Sequence, residues 1–351
     1  MTNALVKNGL FGNLFCEPEI AGEFSAQAFL ERMLAFQSAW TRALVATGIV
    51  SPEDAKAALQ AFDQFDAVGF RNTSDRDGLP VPSLVAQLRS GLSPGAARAI
   101  HTGATSQDVI DTAMVLSALA VLDRLDRRLR ELILTLADLE RRHGQAPFMA
   151  RTRMQAAMPA AASLRLSAWT RLVRTQQDHQ PRLREEIARV QIGGAVGLRD
   201  LPDGQGERVA NHVAETLGLG MSPVWHTERS CMVSLGNWLT MLSGALGKIA
   251  QDIALMAQQG LDEIELDGGG GSSAMPHKQN PVLAEATVAI ARHVAGLQGT
   301  LCQAMIHEQE RSGAAWSLEW LTLPAMAEAS GAALRNTEEL LGAIRRVGAP
   351  D

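Results

Sequence analysis

The chain has 351 residues, enough to bury a large core, and with 46% hydrophobic and 20% charged residues its composition excludes a disordered or fibrous protein. The formal net charge is −6, and no basic tract or basic–aromatic interleaving is present, which excludes a nucleic-acid binder. No segment is apolar for long enough to span a bilayer, and the first twenty residues carry Glu17 and Glu19 in place of a signal peptide's apolar core. Cys16, Cys231 and Cys302 are too scattered for a disulfide framework or a metal site, so a cytoplasmic protein with reduced thiols and no metal is expected.

Ala and Leu dominate, Tyr is absent and aromatics make up 4%, a bias toward helices over strands. The fold class read from this is all-α. Phe29 to Val45 reads as an amphipathic helix. Ser51-Pro52-Glu53-Asp54 is a helix start, with Ser as N-cap, Pro at the first position and acids in the first turn. Asn72 to Pro82, with Gly78, Pro80 and Pro82, reads as a loop. From there the pattern lengthens. Val115, Ala118, Leu122, Leu125, Leu129, Leu132, Leu136 and Leu139 alternate steps of three and four, a seam on one long helix. A helix over roughly 161–190 should kink or stop near Pro181. Leu235, Leu239, Leu242, Leu246, Ile249, Ile253 and Met256 form a second seam, and Ile290, Val294, Leu297, Leu301 and Met305 begin a third. A last helix is expected after Pro324. Seams this long must bury against one another, which predicts a central elongated bundle over 101–345, a smaller N-terminal helical domain over 1–100, and packing between subunits.

Gly, Pro and polar residues interrupt the pattern at 101–108, 150–159, 191–197 and 268–281. The last interruption runs Gly268-Gly-Gly-Gly-Ser272-Ser273-Ala274-Met275-Pro276-His277-Lys278-Gln279-Asn280-Pro281. Four glycines cost much backbone entropy on ordering, and they suit a loop whose N–H groups must approach a ligand. The plainer reading is a flexible linker, but a linker has no need of the residues that follow.

GSSAMPHKQNP is similar to the GSSxMPxKxNP signature of the fumarase/aspartase superfamily. His101-Thr-Gly-Ala-Thr105-Ser106-Gln107-Asp108 resembles that superfamily's first region, Thr152-Arg153-Met154-Gln155 stands where the second reads T-H-x-Q, and Gln191-Ile-Gly-Gly-Ala-Val-Gly197 resembles its S-G-A-V-G stretch. The resemblance covers roughly residues 10–345. It implies addition or elimination across a carbon–carbon bond next to a carboxylate, with no cofactor. It assigns proton transfer to Ser272, with Ser273 and Lys278 completing the catalytic loop. Substrate binding falls to His101, Thr105, Ser106, Gln107, Thr152, Arg153, Gln155, Asn280, Arg311 and Trp316. A carbanion beside a carboxylate needs a waiting cation and preorganised donors, and a serine base needs activation by surrounding N–H groups.

Two departures point to a branch. Arg153 replaces the usual histidine acid; an intramolecular reaction, whose leaving or attacking group is the substrate's own carboxylate, has little use for that acid, whereas a guanidinium grips a carboxylate by two points. Glu310-Arg311-Ser-Gly-Ala-Ala-Trp316-Ser-Leu-Glu319-Trp320 is similar to the carboxymuconate cycloisomerases, with tryptophans where a nucleotide-binding lyase holds phosphate. Arg153 as a structural arginine and Trp320 as core remain the plainer alternatives. The branch implies lactonisation of 3-carboxy-cis,cis-muconate, a small tricarboxylate, by a homotetramer with shared active sites. Relative to most of the family, the chain ends about one small C-terminal domain early. Two other readings stay open: an adenylosuccinate- or argininosuccinate-type lyase releasing fumarate, and a catalytically silent helical scaffold. His143, His179, His212, His226 and His293 have no constellation around them in sequence.

Overall fold

A computed structural model describes residue 6 and residues 10–268, 270–271, 275 and 279–349. Nine helices of eight or more residues follow one another among the described residues: α1 Ala26–Ala46, α2 Pro52–Asp63, α3 Val81–Arg89, α4 Ser106–His143, α5 Ser163–Ile187, α6 Gly206–Leu217, α7 Ser230–Met256, α8 Val282–Gln303 and α9 Ala314–Gly342. Between them lie three two-stranded antiparallel ribbons. They pair β1 Pro147–Thr152 with β2 Gln155–Ala161, β3 Ile264–Leu266 with β6 Ile344–Val347, and β4 Gly270–Gly271 with β5 Gln279–Asn280.

Two of the seams become core throughout, while the third ends with Met305 exposed beyond α8. Every residue of the 115–139 seam is buried on α4, and every residue of the 235–256 seam is buried on α7. α4 packs on α5 and α9, α5 on α7, and α7, α8 and α9 on one another, giving an elongated five-helix bundle. α1 lies against α4 and α6, with α2 beside it, so the N-terminal helices cap one end of the bundle. Ser51 caps α2 by accepting from the Asp54 N–H at 3.1 Å, with Pro52 at the first helical position. Among the described residues no helix is long and apolar enough to cross a membrane.

Neither proline marks a helix boundary, so the expected stop near Pro181 and the expected start after Pro324 are corrected. α5 runs through Pro181, and α9 starts ten residues before Pro324 and runs through it. An interior proline costs about 3 kcal/mol, and burial of Leu183 and Ile187 beyond Pro181, and of Met326 and Leu334 beyond Pro324, outweighs it. α3 begins at Val81, inside the expected loop, because Pro80 and Pro82 sit at its start, where no donor is lost. The 150–159 interruption is a hairpin. Its turn is Arg153–Met154, with φ of 48° and 68°. A two-residue turn with both φ positive matches the strand twist, but it is usually marked by Asn-Gly or Asp-Gly. Arg-Met hides it from a sequence reading.

Helices α7 and α8 approach each other closely at a glycine. A Cβ on Gly247 of α7 would lie 2.6 Å from the Ala291 Cβ of α8. Gly247→Val should therefore force α7 and α8 apart and cost about 1–3 kcal/mol, measured as a lower guanidinium midpoint. An unchanged midpoint would show that the two helices do not meet this closely.

Candidate active site

The site begins where α4 begins. Asp108, in the first turn, is fully buried, and its carboxylate collects four N–H groups: Thr105 at 3.0 Å, Gly193 at 2.8 Å, Gly194 at 3.0 Å and the His226 ring Nε2 at 2.9 Å. A buried carboxylate is tolerated when its lone pairs are met in this way. One side chain thus ties the helix start to the 193–194 turn and to the segment entering α7. The turn demands glycine: a Cβ at Gly193 would fall 2.5 Å from the His226 Cε1, and Gly194 has φ of 66°. His226, which looked unconstellated in sequence, is a partner of Asp108. The 118 residues between them carry no local signal of the pairing.

Arg311 docks onto this platform. It donates to the Thr105 Oγ1 at 2.6 Å, to the Ala195 carbonyl at 2.6 Å and to the Gly194 carbonyl at 3.1 Å. These acceptors are neutral, and no carboxylate pairs with Arg311 among the described residues. His101 lies four residues before Thr105, half-buried, with its Nδ1 2.8 Å from the Gln37 Nε2. Burial, reinforced by the Arg89 charge, pushes its pKa down to about 4, so the ring is neutral near pH 7. Ser106 is the first residue of α4 and half-buried.

Gln107 and Trp316 do not join them. Gln107 is fully buried and donates to the Asp111 carboxylate at 3.1 Å and the His226 carbonyl at 2.8 Å; the Trp316 indole N–H donates to Asp111 at 2.8 Å. Both were expected as substrate contacts, and both side chains spend their N–H groups in the interior. Both serve a buried cluster in which Arg229 bridges Asp111, at 2.8 and 3.1 Å, and Glu319, at 2.8 and 2.5 Å, beneath the Trp225 ring at 4.7 Å. One guanidinium faces two carboxylates. Burial raises the Glu319 pKa to about 6 even against the pull of Arg229.

The second group of expected residues lies at the other end of the bundle. Thr152, Arg153 and Gln155 are exposed at the tip of the β1–β2 hairpin. Behind the tip, Arg151 donates to buried Glu263 at 2.6 Å and Arg165 stacks 4.5 Å over the Phe148 ring. An open cavity of about 700 Å³ runs between Arg153, Arg165, Asp252 and Glu263. Arg153 has no carboxylate partner among the described residues. The base of the 268–281 loop is at this end too: Asn280 pairs with Gly270, just after β3 leaves Glu263. Ser272, Ser273 and Lys278 lie outside the described residues. At about 1.5 Å per residue, the 38 residues of α4 put roughly 57 Å between Thr105 and the hairpin. One copy of the chain cannot close both groups on one small ligand.

The buried cluster makes a stability prediction. Arg229→Met strands two carboxylates in the interior and should cost about 3–5 kcal/mol, read by thermal unfolding. A melting temperature equal to that of the unaltered protein would mean the cluster carries no such weight.

A protein family described as lyase matches residues 16–296. The 3-carboxy-cis,cis-muconate cycloisomerase of Pseudomonas aeruginosa is 35% identical over 347 residues, 95% of this chain and 75% of that protein. The crystal structure of the 3-carboxy-cis,cis-muconate lactonizing enzyme from Pseudomonas putida superposes with a TM-score of 0.88 at 32% identity, over 96% of this chain and 77% of that one. That of a fumarate lyase from Mesorhizobium sp. BNC1 gives 0.88 at 30% identity, over 97% and 78%. The chain belongs to this lyase family, in the branch of the fumarase/aspartase superfamily that holds the 3-carboxy-cis,cis-muconate cycloisomerases.

Proposed function

We propose that the chain is an isomerase of the intramolecular lyase type, which closes 3-carboxy-cis,cis-muconate to a carboxymuconolactone. The observation that carries this reading is a pair of guanidiniums without carboxylate partners among the described residues, Arg311 on Thr105 and Arg153 at the hairpin tip. They suit a substrate that presents several carboxylates.

In the reaction, one substrate carboxylate oxygen bonds to the far carbon of a double bond. The π electron pair moves to the carbon next to another carboxylate, and Ser272 delivers a proton there. Lys278, Asn280, Thr105, Ser106 and the two arginines hold the negative charge that develops on that carboxyl group, and Ser272 regains a proton from water. No acid is needed for a leaving group, which fits Arg153 in the place of the family's histidine. A tricarboxylate becomes a dicarboxylate lactone, so each turnover takes up one proton.

The roughly 57 Å between the two groups supports a homo-oligomer in which Thr105 and Arg311 of one copy meet the hairpin and loop of others, a homotetramer in our reading. The scattered Cys16, Cys231 and Cys302, without the spacing of a disulfide framework, suit a cytosolic setting.

With purified protein and 3-carboxymuconate, the diene absorbance should fall while a pH-stat records one proton consumed per molecule; fumarate appearing from succinylated amines instead would make the protein a fumarate-releasing lyase, and no reaction with either would leave a scaffold. Ser272→Ala should abolish turnover and leave assembly intact. Arg153→Ala and Arg311→Ala should each lower kcat/KM by about 10²-fold or more, and the two variants refolded together should regain part of the lost activity. Without such recovery, both arginines act within one copy or not at all.

A further inference from the structure

One face of α1 is directed at the segment that carries His101. Gln37, Trp40 and Thr41 are spaced i, i+3, i+4 and are buried. The Trp40 indole N–H donates to the Thr102 carbonyl at 3.0 Å, and the Thr41 hydroxyl donates to the Ala99 carbonyl at 2.7 Å. Arg89, at the end of α3, donates to the Ile100 carbonyl at 2.5 Å. The carbonyls on both sides of His101 are thereby fixed while its own φ is 63°, a left-handed backbone that costs a histidine about 1–2 kcal/mol. Strain of this kind persists only where the surroundings over-determine it.

The ring is fixed as well. The Gln37 amide meets Nδ1 at 2.8 Å, and its other polar atom is buried without a partner. Two orientations of that amide are conceivable. With the carbonyl toward the ring, the NH2 group would be the buried orphan; with the NH2 toward the ring, the orphan is a carbonyl oxygen, which proteins tolerate better than an unpaired N–H. The second orientation makes Nδ1 the acceptor, so the proton of the neutral ring sits on Nε2. No partner for Nε2 occurs among the described residues.

We infer that Gln37 is a positioning residue: by donating to Nδ1 it locks His101 in the Nε2–H tautomer and makes the ring a neutral hydrogen-bond donor to a substrate oxygen, not a base. The donor's target rests on the reading that His101 borders the substrate; the tautomer does not. In full-length protein labelled with 15N-histidine and free of substrate, the His101 resonances, assigned by loss in His101→Asn, should show an unprotonated Nδ1 and a protonated Nε2 at neutral pH. Gln37→Met, sized and melted to confirm folding, should mix the tautomers and raise KM about three- to tenfold with a smaller change in kcat. Gln37→Glu can only accept, so it protonates Nδ1 and raises the ring's pKa. Its kcat/KM should fall as pH rises through that pKa, where Nε2 loses its proton, while the unaltered enzyme stays flat. A protonated Nδ1 in the unaltered protein, or an unchanged pH profile in Gln37→Glu, overturns the inference. If 3-carboxymuconate is not turned over at all, the functional reading fails while the nitrogen shifts still decide the tautomer.

Discussion

The carboxylate of Asp108 is the constraint on which the candidate site depends. A charge without access to water must have its oxygens filled, and here four N–H groups from three distant segments fill them. Removing any of these segments would leave the charge uncompensated, so the start of α4, the Gly193–Gly194 turn and His226 are bound to one geometry. The turn then presents the Gly194 and Ala195 carbonyls outward, and those carbonyls with Thr105 seat Arg311. The order of causes runs from a buried anion to a shaped turn to a cation held in place. Behind it, the Asp111–Arg229–Glu319 cluster repeats the principle with opposite charges and fixes the entry of α7 against α9.

Helix length imposes the second constraint. The apolar seams that make the bundle stable also make it long, and they place the Thr105 and Arg153 groups at opposite ends. Shorter helices would bring the groups nearer but would bury less apolar surface. In the proposed oligomer a second copy set antiparallel would resolve the conflict, carrying one chain's hairpin to the other's helix start without shortening a seam. The same seams that hold one chain together therefore favour the proposed oligomer, in which several chains would share a site.

Periodicity made the bundle legible. A three–four alternation sustained over more than twenty residues has few other readings, and the buried seams on α4 and α7 follow it residue by residue. Punctuation was read less well. Pro181 and Pro324 sit inside helices because tertiary burial outweighs a lost backbone bond, and Arg153–Met154 turns a hairpin without the usual turn residues. Within the site, the motifs brought Thr105 and Arg311 into view although 206 residues separate them. They could not say which way a side chain faces. Gln107 sits in a substrate-binding motif yet points inward, since adjacent positions on a helix start face different sides. The His226–Asp108 and Gln37–His101 pairs, 118 and 64 residues apart, leave no pattern in sequence at all.

Charge distribution explains how a chain with a net charge of −6 can serve a poly-anionic substrate. Its arginines are not equivalent. Arg229 is enclosed by two carboxylates, and Arg151 is committed to Glu263, so neither has charge to offer a ligand. Arg311 is oriented by a hydroxyl and two carbonyls, neutral groups that fix its direction without cancelling its charge. In the proposed function an incoming carboxylate would meet a cation already aimed, with little rotamer freedom left to lose on binding. In the proposed site the neutral His101, four residues before Thr105, would add a donor without adding a second positive charge. The neighbours of these arginines therefore decide how much charge remains for a ligand: carboxylates cancel that of Arg229 and Arg151, and the neutral oxygens around Arg311 leave its charge uncancelled.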